Sequence, residues 1–184
     1  MYKGKNPSAL QSMEWLRQSL LHLLEKKKYS DITIKEICKK ADLSRQTFYQ
    51  MFQSKEEIME YHFVILFQEF IDECEQYDII NLSQISHIFF KFFYKHKKLI
   101  YILISNNMTY LLQQQFEFYL REIKIFFNID NQKSHDDYTI AYISGALTQI
   151  LLHWFKKSFD ITIDDLSEIT KSIIAGETIK IGLS

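Results

Sequence analysis

Apolar residues recur every three or four positions along most of this chain, the spacing of helices with one buried face. Leu10, Met13, Leu16, Leu20, Leu23 and Leu24 share one face of a first helix. That helix is expected to begin at Ser8, where Ser8 and Gln11 form a capping-box pattern behind Pro7. Lys26, Lys27 and Lys28 suit its C-terminal end, where the helix dipole favours cations. A second helix begins at Thr33, with Glu36 completing another capping box and Ile34, Ile37, Cys38 and Ala41 marking the buried face. A third runs from Ser44 to about Phe52. A fourth runs from Ser54, with Glu57 in a third capping-box pattern, to about Tyr77. Five more are expected over 82–96, 97–105, 108–128, 135–158 and 163–181. From Ser8 to Ser144 there is neither glycine nor proline, the residues on which hairpin turns depend. The pattern therefore predicts an all-α fold of about nine helices.

Composition adds bounds. Of 184 residues, 47% are hydrophobic, enough to bury a core. No apolar stretch is long enough to cross a bilayer, and no apolar signal core follows the basic N-terminus. Cys38 and Cys74 are spaced neither as a metal-ligand pair nor as a disulfide framework. A cytoplasmic protein with no membrane partner is expected. Net charge is −1 but unevenly spread: residues 1–60 carry 11 Lys and Arg against 8 Asp and Glu, and the remainder 11 against 15. A mildly basic head on an acidic body suits nucleic-acid binding at one end.

The second and third helices are short and joined by Asp42-Leu43-Ser44, the geometry of a helix-turn-helix. Such a unit needs a small residue where its helices cross, supplied by Cys38, and a turn residue that accepts left-handed backbone, supplied by Asp42. In the third helix Phe48 and Phe52 face inward. Arg45 and Tyr49, and Gln46 and Gln50, are each four apart and form an outward polar stripe. Arginine can bond guanine with two donors, and glutamine can do the same with adenine. Thr33 and Ser44 sit at helix N-termini, where backbone N–H groups favour a phosphate, and Tyr49 can offer it a hydroxyl. Lys55 opposes the dipole of the fourth helix, which a phosphate partner would explain.

Residues 29–58 resemble the DNA-binding domain of the tetracycline-repressor (TetR) family. Thr33, Ile37, Cys38, Ala41, Leu43, Ser44, Thr47, Tyr49, Phe52, Lys55 and Glu56 match its pattern in register, with Asp42 in place of Gly and Cys38 in place of Ala. The resemblance implies a helix-turn-helix DNA-binding domain over 1–53 and a helical dimerisation and effector-binding domain over 54–184. It implies DNA contacts from Thr33, Ser44, Arg45, Gln46, Thr47, Tyr49, Gln50 and Lys55. The segment 142–166 is similar to helices that in this family pair across a two-fold axis as a four-helix bundle. Ala141, Tyr142, Gly145, Ala146, Gln149, Ile169 and Ile173 are the expected dimer contacts. In similar proteins the middle helices enclose an effector cavity, and Phe63, Phe67, Phe89, Phe93, Tyr101, Phe116 and Tyr119 are the expected lining. The implied function is a homodimeric, sequence-specific transcriptional regulator, a repressor released from a palindromic double-stranded operator by a small-molecule effector. The alternatives are a regulator working through a protein co-regulator, or a helical interaction module that binds no DNA.

Nothing in the sequence points to catalysis. Serine, histidine and aspartate are scattered without a nucleophile elbow or triad motif, and no phosphate loop is present. The six histidines include no ligand pair at metal spacing, so neither cofactor nor metal is expected. Operator, regulated genes, effector and sign of regulation are not encoded in any motif.

Overall fold

A computed structural model of the chain describes residues 1–77, 82–122 and 133–175. Every regular element among them is helical: α1 Pro7–Leu24, α2 Ile34–Ala41, α3 Arg45–Met51, α4 Lys55–Cys74, α5 Leu82–Lys95, α6 Lys97–Ser105, α7 Thr109–Glu122, α8 Lys133–Lys156 and α9 Ile163–Ile174. A single 3-10 turn, Tyr29–Asp31, leads into α2. The expected extensions of α7 to 128 and of α9 to 181 fall outside the described residues. No helix among the described residues is long and apolar enough to cross a membrane.

Local chemistry sets the boundaries. At α2 the expected capping box forms in full: Thr33 accepts the Glu36 N–H, and the Glu36 carboxylate accepts the Thr33 N–H at 3.0 Å. Asp42 ends α2 in the left-handed conformation, at φ 55° and ψ 40°. Two caps differ from expectation. Asn6 rather than Ser8 caps α1, accepting the Ser8 N–H at 3.0 Å, because Pro7 occupies the first helical position and needs no donor partner. At α4 the Glu57 carboxylate accepts the Gln53 N–H at 2.9 Å and pairs with the chain's terminal ammonium at 2.7 Å, while Ser54 makes a long bond of 3.4 Å to the Glu57 N–H.

The helices form two compact units. The first comprises residues 1–66 and 102–108. In it α1 packs on α2 and α3 through Met13, Leu16, Leu20, Ile37 and Phe48, none more than 1% exposed. The second comprises residues 67–101 and 109 onward, in which α5 packs on α9 and α7 on α8. Its centre is aromatic: Phe67 stacks on Tyr119 with centroids 4.7 Å apart, and Phe89 lies 4.7 Å from Phe93 and 4.8 Å from Phe116. Both α4 and α6 contribute residues to both units.

Candidate nucleic-acid interface

The third helix is anchored by its apolar side. Phe48 is completely buried and Phe52 is 1% exposed, so α3 cannot rotate without leaving a cavity. That fixes what the other side presents. Ser44, Arg45, Gln46, Tyr49 and Gln50 are exposed and Thr47 is half-buried, so the polar stripe faces solvent along two turns. Tyr49 is 59% exposed, with its ring edge-on to Phe48 at 5.2 Å; the ring is braced while the hydroxyl end stands clear. Ser44 accepts the Thr47 N–H at 2.9 Å and shares a hydrogen bond with the Thr47 hydroxyl, which sets the start of the helix.

Electrostatics singles out Arg45. The chain has three arginines. Arg17 bonds the Glu14 carboxylate and the His62 ring, and Arg121 pairs with Glu117 and Asp137. Arg45 has no hydrogen-bond or ion-pair partner among the described residues, so its fork of donors is available to an acceptor outside the chain. Behind it, burial pushes the Cys38 thiol above its usual range, which fits a small packing residue at the helix crossing better than a reactive thiol.

Thr33 is exposed at the N-terminus of α2, where the capping box is reinforced by the pairing of Lys27 with Glu36. Lys27 foremost, then the N–H and hydroxyl of Thr33, hold the Glu36 carboxyl far below its ordinary 4.5, at about 2. A depressed carboxyl pKa favours the folded cap above the unfolded value, and that preference is lost as pH falls through the folded one. An NMR pH titration should therefore find the cap closed down to pH 4.5 and opening only as pH approaches about 2. Titration of Glu36 near its ordinary value would show that the cap is not formed in solution.

Lys55 has partners inside the fold that the sequence does not suggest. Its ammonium donates to the Tyr29 carbonyl at 2.6 Å and the Ile32 carbonyl at 3.0 Å, and lies 4.2 Å from the centre of the Tyr29 ring. These partners within the fold are enough to account for a cation placed against the α4 dipole. They lie 23 and 26 residues away, beyond the reach of any local pattern.

The expected dimer contacts belong to two helices of the second unit. Ala141, Tyr142 and Gln149 are exposed on α8, with Gly145 and Ala146 half-buried beside them; on α9, Ile169 is 45% exposed and Ile173 half-buried. A side chain added at Gly145 would meet only the Gln113 amide, at 3.8 Å, so the protomer's own packing does not demand glycine there. Gln149, Ile169 and Ile173 also line an open cleft of about 410 Å³ with Trp154, Ile161 and Leu166.

Most of the expected effector-pocket residues are packed against one another among the described residues. Phe67, Phe89, Phe93, Phe116 and Tyr119 pack ring against ring, and Phe63 is buried in the other unit. Tyr101 is 63% exposed: Ile100 and Leu103 take the buried face of α6, and the helical period turns Tyr101 away from them. Among the described residues, no three His, Cys, Asp or Glu side chains gather to hold a metal ion.

Comparison with known proteins agrees with this geometry. Residues 19–61 match the family of bacterial regulatory proteins, tetR family, and residues 80–176, more than half of the chain, match a transcriptional regulator C-terminal region. No curated protein matches the chain. Lin0861 of Listeria innocua shares the fold with a TM-score of 0.77 at 16% identity, covering 96% of each chain. A TetR transcriptional regulator of Streptococcus agalactiae does so with 0.65 at 18% identity, over 91% of this chain and 95% of that one. A transcriptional regulator of the TerR/AcrR family from Aquifex aeolicus gives 0.53 at 22% identity, over 89% and 98%.

Proposed function

The chain belongs to the tetR family of bacterial regulatory proteins and is a DNA-binding transcriptional regulator, not an enzyme, and from that premise we propose that it acts as a homodimeric repressor on a palindromic operator. The reading head is residues 1–53, and the remainder dimerises and senses. Arg45, Gln46 and Gln50 enter the major groove, while Thr33, Ser44, Thr47 and the Tyr49 hydroxyl contact phosphates on either side. The observation that carries this reading is Arg45: an arginine with no partner among the described residues, at the first turn of a short exposed helix anchored from behind by two buried phenylalanines.

Reading two half-sites needs two heads, about 34–36 Å apart along the duplex. The second copy pairs through α8 and α9, around Gly145 and Ile169. Ile169→Glu is expected to yield a folded monomer by analytical ultracentrifugation, since the side chain is half exposed in the protomer, and to weaken operator binding with it. An Ile169→Glu protein that remains a dimer would place the interface elsewhere.

Selection of bound duplexes from random DNA tests the whole reading. A two-fold symmetric site is expected, with half-sites one helical turn apart; failure to enrich any sequence would remove the DNA-binding role. A second reading of the control mechanism, release by a protein co-regulator rather than a small molecule, is supported by the ring-against-ring packing of the aromatic centre. Operator release by small apolar compounds, with protein extracts inert, would reject it.

A further inference from the structure

Asn106, directly after α6, uses its side chain both on its own helix and beyond it. Its Nδ2 donates to the Ile102 carbonyl at 2.9 Å, one turn back, which fixes the plane of the amide. Its Oδ1 accepts the Tyr29 N–H at 2.6 Å, from a residue 77 positions earlier. The following residue, Asn107, is left-handed at φ 56°, and Met108 N–H closes the helix on the Leu103 carbonyl at 2.8 Å. The position of Asn106 is thus set by a defined helix end.

Tyr29 is held on its other side by Lys55, which grips its carbonyl, its ring and the Ile32 carbonyl together. Ile32 is 2% exposed and immediately precedes Thr33, the cap of α2. The Tyr29 N–H is therefore committed to the side chain that follows α6, and its carbonyl accepts from Lys55 of α4 as well as from the Ile32 N–H of its own turn. A chain of hydrogen bonds runs from the end of α6 through the 3-10 turn to Ile32, which is covalently joined to the cap of α2. All of these atoms lie in the first unit, whereas α6 begins in the second.

We propose that Asn106 is a positioning residue for operator binding: its grip on the Tyr29 N–H fixes the turn that aims Thr33 and the start of α2 at the DNA backbone. A bond of 2.6 Å is lost once its atoms part beyond about 3.5 Å, so a shift of an ångström at the end of α6 releases the turn. Whatever moves α6 reaches the head at this point. The inference rests on the reading of Thr33 and Arg45 as DNA contacts, and the test separates the two.

The test measures affinity of the full-length dimer for an operator selected from random duplexes. Asn106→Leu, similar in size but without the acceptor, should bind about tenfold more weakly, a usual size for coupling between sites. Dimer mass and helical circular dichroism should be unchanged. Asn106→Asp keeps an oxygen for the Tyr29 N–H but loses the donor to the Ile102 carbonyl, so it should bind more tightly than Asn106→Leu without regaining the full parental affinity. Lys55→Met acts on the same turn, so its loss and that of Asn106→Leu should fail to add. Parental affinity in Asn106→Leu, additive losses, or a folded Asn106→Asp dimer as weak as the leucine variant would each overturn the proposal. If Asn106→Leu does not fold, Asn106→Asp decides alone. Arg45→Ala run alongside tells the two failures apart: binding that survives it refutes the DNA reading, whereas binding that it abolishes, with Asn106→Leu unaffected, removes only the latch.

Discussion

Arg45→Ala is expected to abolish specific operator binding while leaving a dimer of unchanged stability. A bidentate arginine–guanine pair is worth about 1–3 kcal/mol of discrimination, and a symmetric dimer loses it in both half-sites, so the total is about 2–6 kcal/mol, or roughly 30-fold to more than 10⁴-fold. Stability should hold because Arg45 is exposed and bonds nothing among the described residues, the kind of surface site where substitutions stay within about 0.5 kcal/mol. Fluorescence anisotropy with a labelled operator gives the affinity, and thermal melting gives the control. Tyr49→Phe is a milder companion. It keeps the ring braced against Phe48 and removes only the hydroxyl, so it should weaken all sequences alike if that group contacts phosphate. Full affinity in Arg45→Ala would mean that α3 does not read the groove.

Phe89→Ala is expected to be the most damaging single change in the second unit. Phe89 is completely buried and touches four rings, those of Phe70, Phe90, Phe93 and Phe116, at centroid distances of 4.7–6.2 Å. Truncation removes the transfer free energy of a whole ring and leaves a cavity its rigid neighbours cannot fill, at a cost of about 3–5 kcal/mol. For a chain of this size that lowers the melting temperature by on the order of 10 °C. Tyr101→Ala, which exposes nothing new, should change it by under about 2 °C. The comparison also bears on control of the protein. A Phe89→Ala loss below about 1 kcal/mol would reveal space already present among the rings, and would restore the small-molecule pocket that the closed packing disfavours.

Much of the reading head was legible without coordinates, and the particular residues explain why. The Thr33–Glu36 box is made of groups three residues apart, whose bonding depends on almost nothing else. Asp42 is left-handed because the turn needs a residue that tolerates it. The outward stripe of Arg45, Gln46, Tyr49 and Gln50 follows from helical spacing once Phe48 and Phe52 are assigned inward. Where local signals competed, the sequence alone misled. The sequence pattern starts α1 at Ser8, but Pro7 takes the first helical position and the cap moves back to Asn6. The Glu57 carboxylate found the terminal ammonium in place of the Ser54 N–H.

Sequence by itself determined the helices, most of their boundaries and the polar face of α3, since each arises from interactions within about one helical turn, where spacing along the chain is distance in space. Only the tertiary structure decided that Lys55 and Asn106 meet at Tyr29, that Arg45 alone of the arginines stands without a partner among the described residues, and that the rings of the aromatic centre pack on one another. Those outcomes depend on groups 23 to 77 residues apart and on how ring volumes fit together. Apolar periodicity says that a face is buried; it does not say whether that face closes on other side chains or around a space.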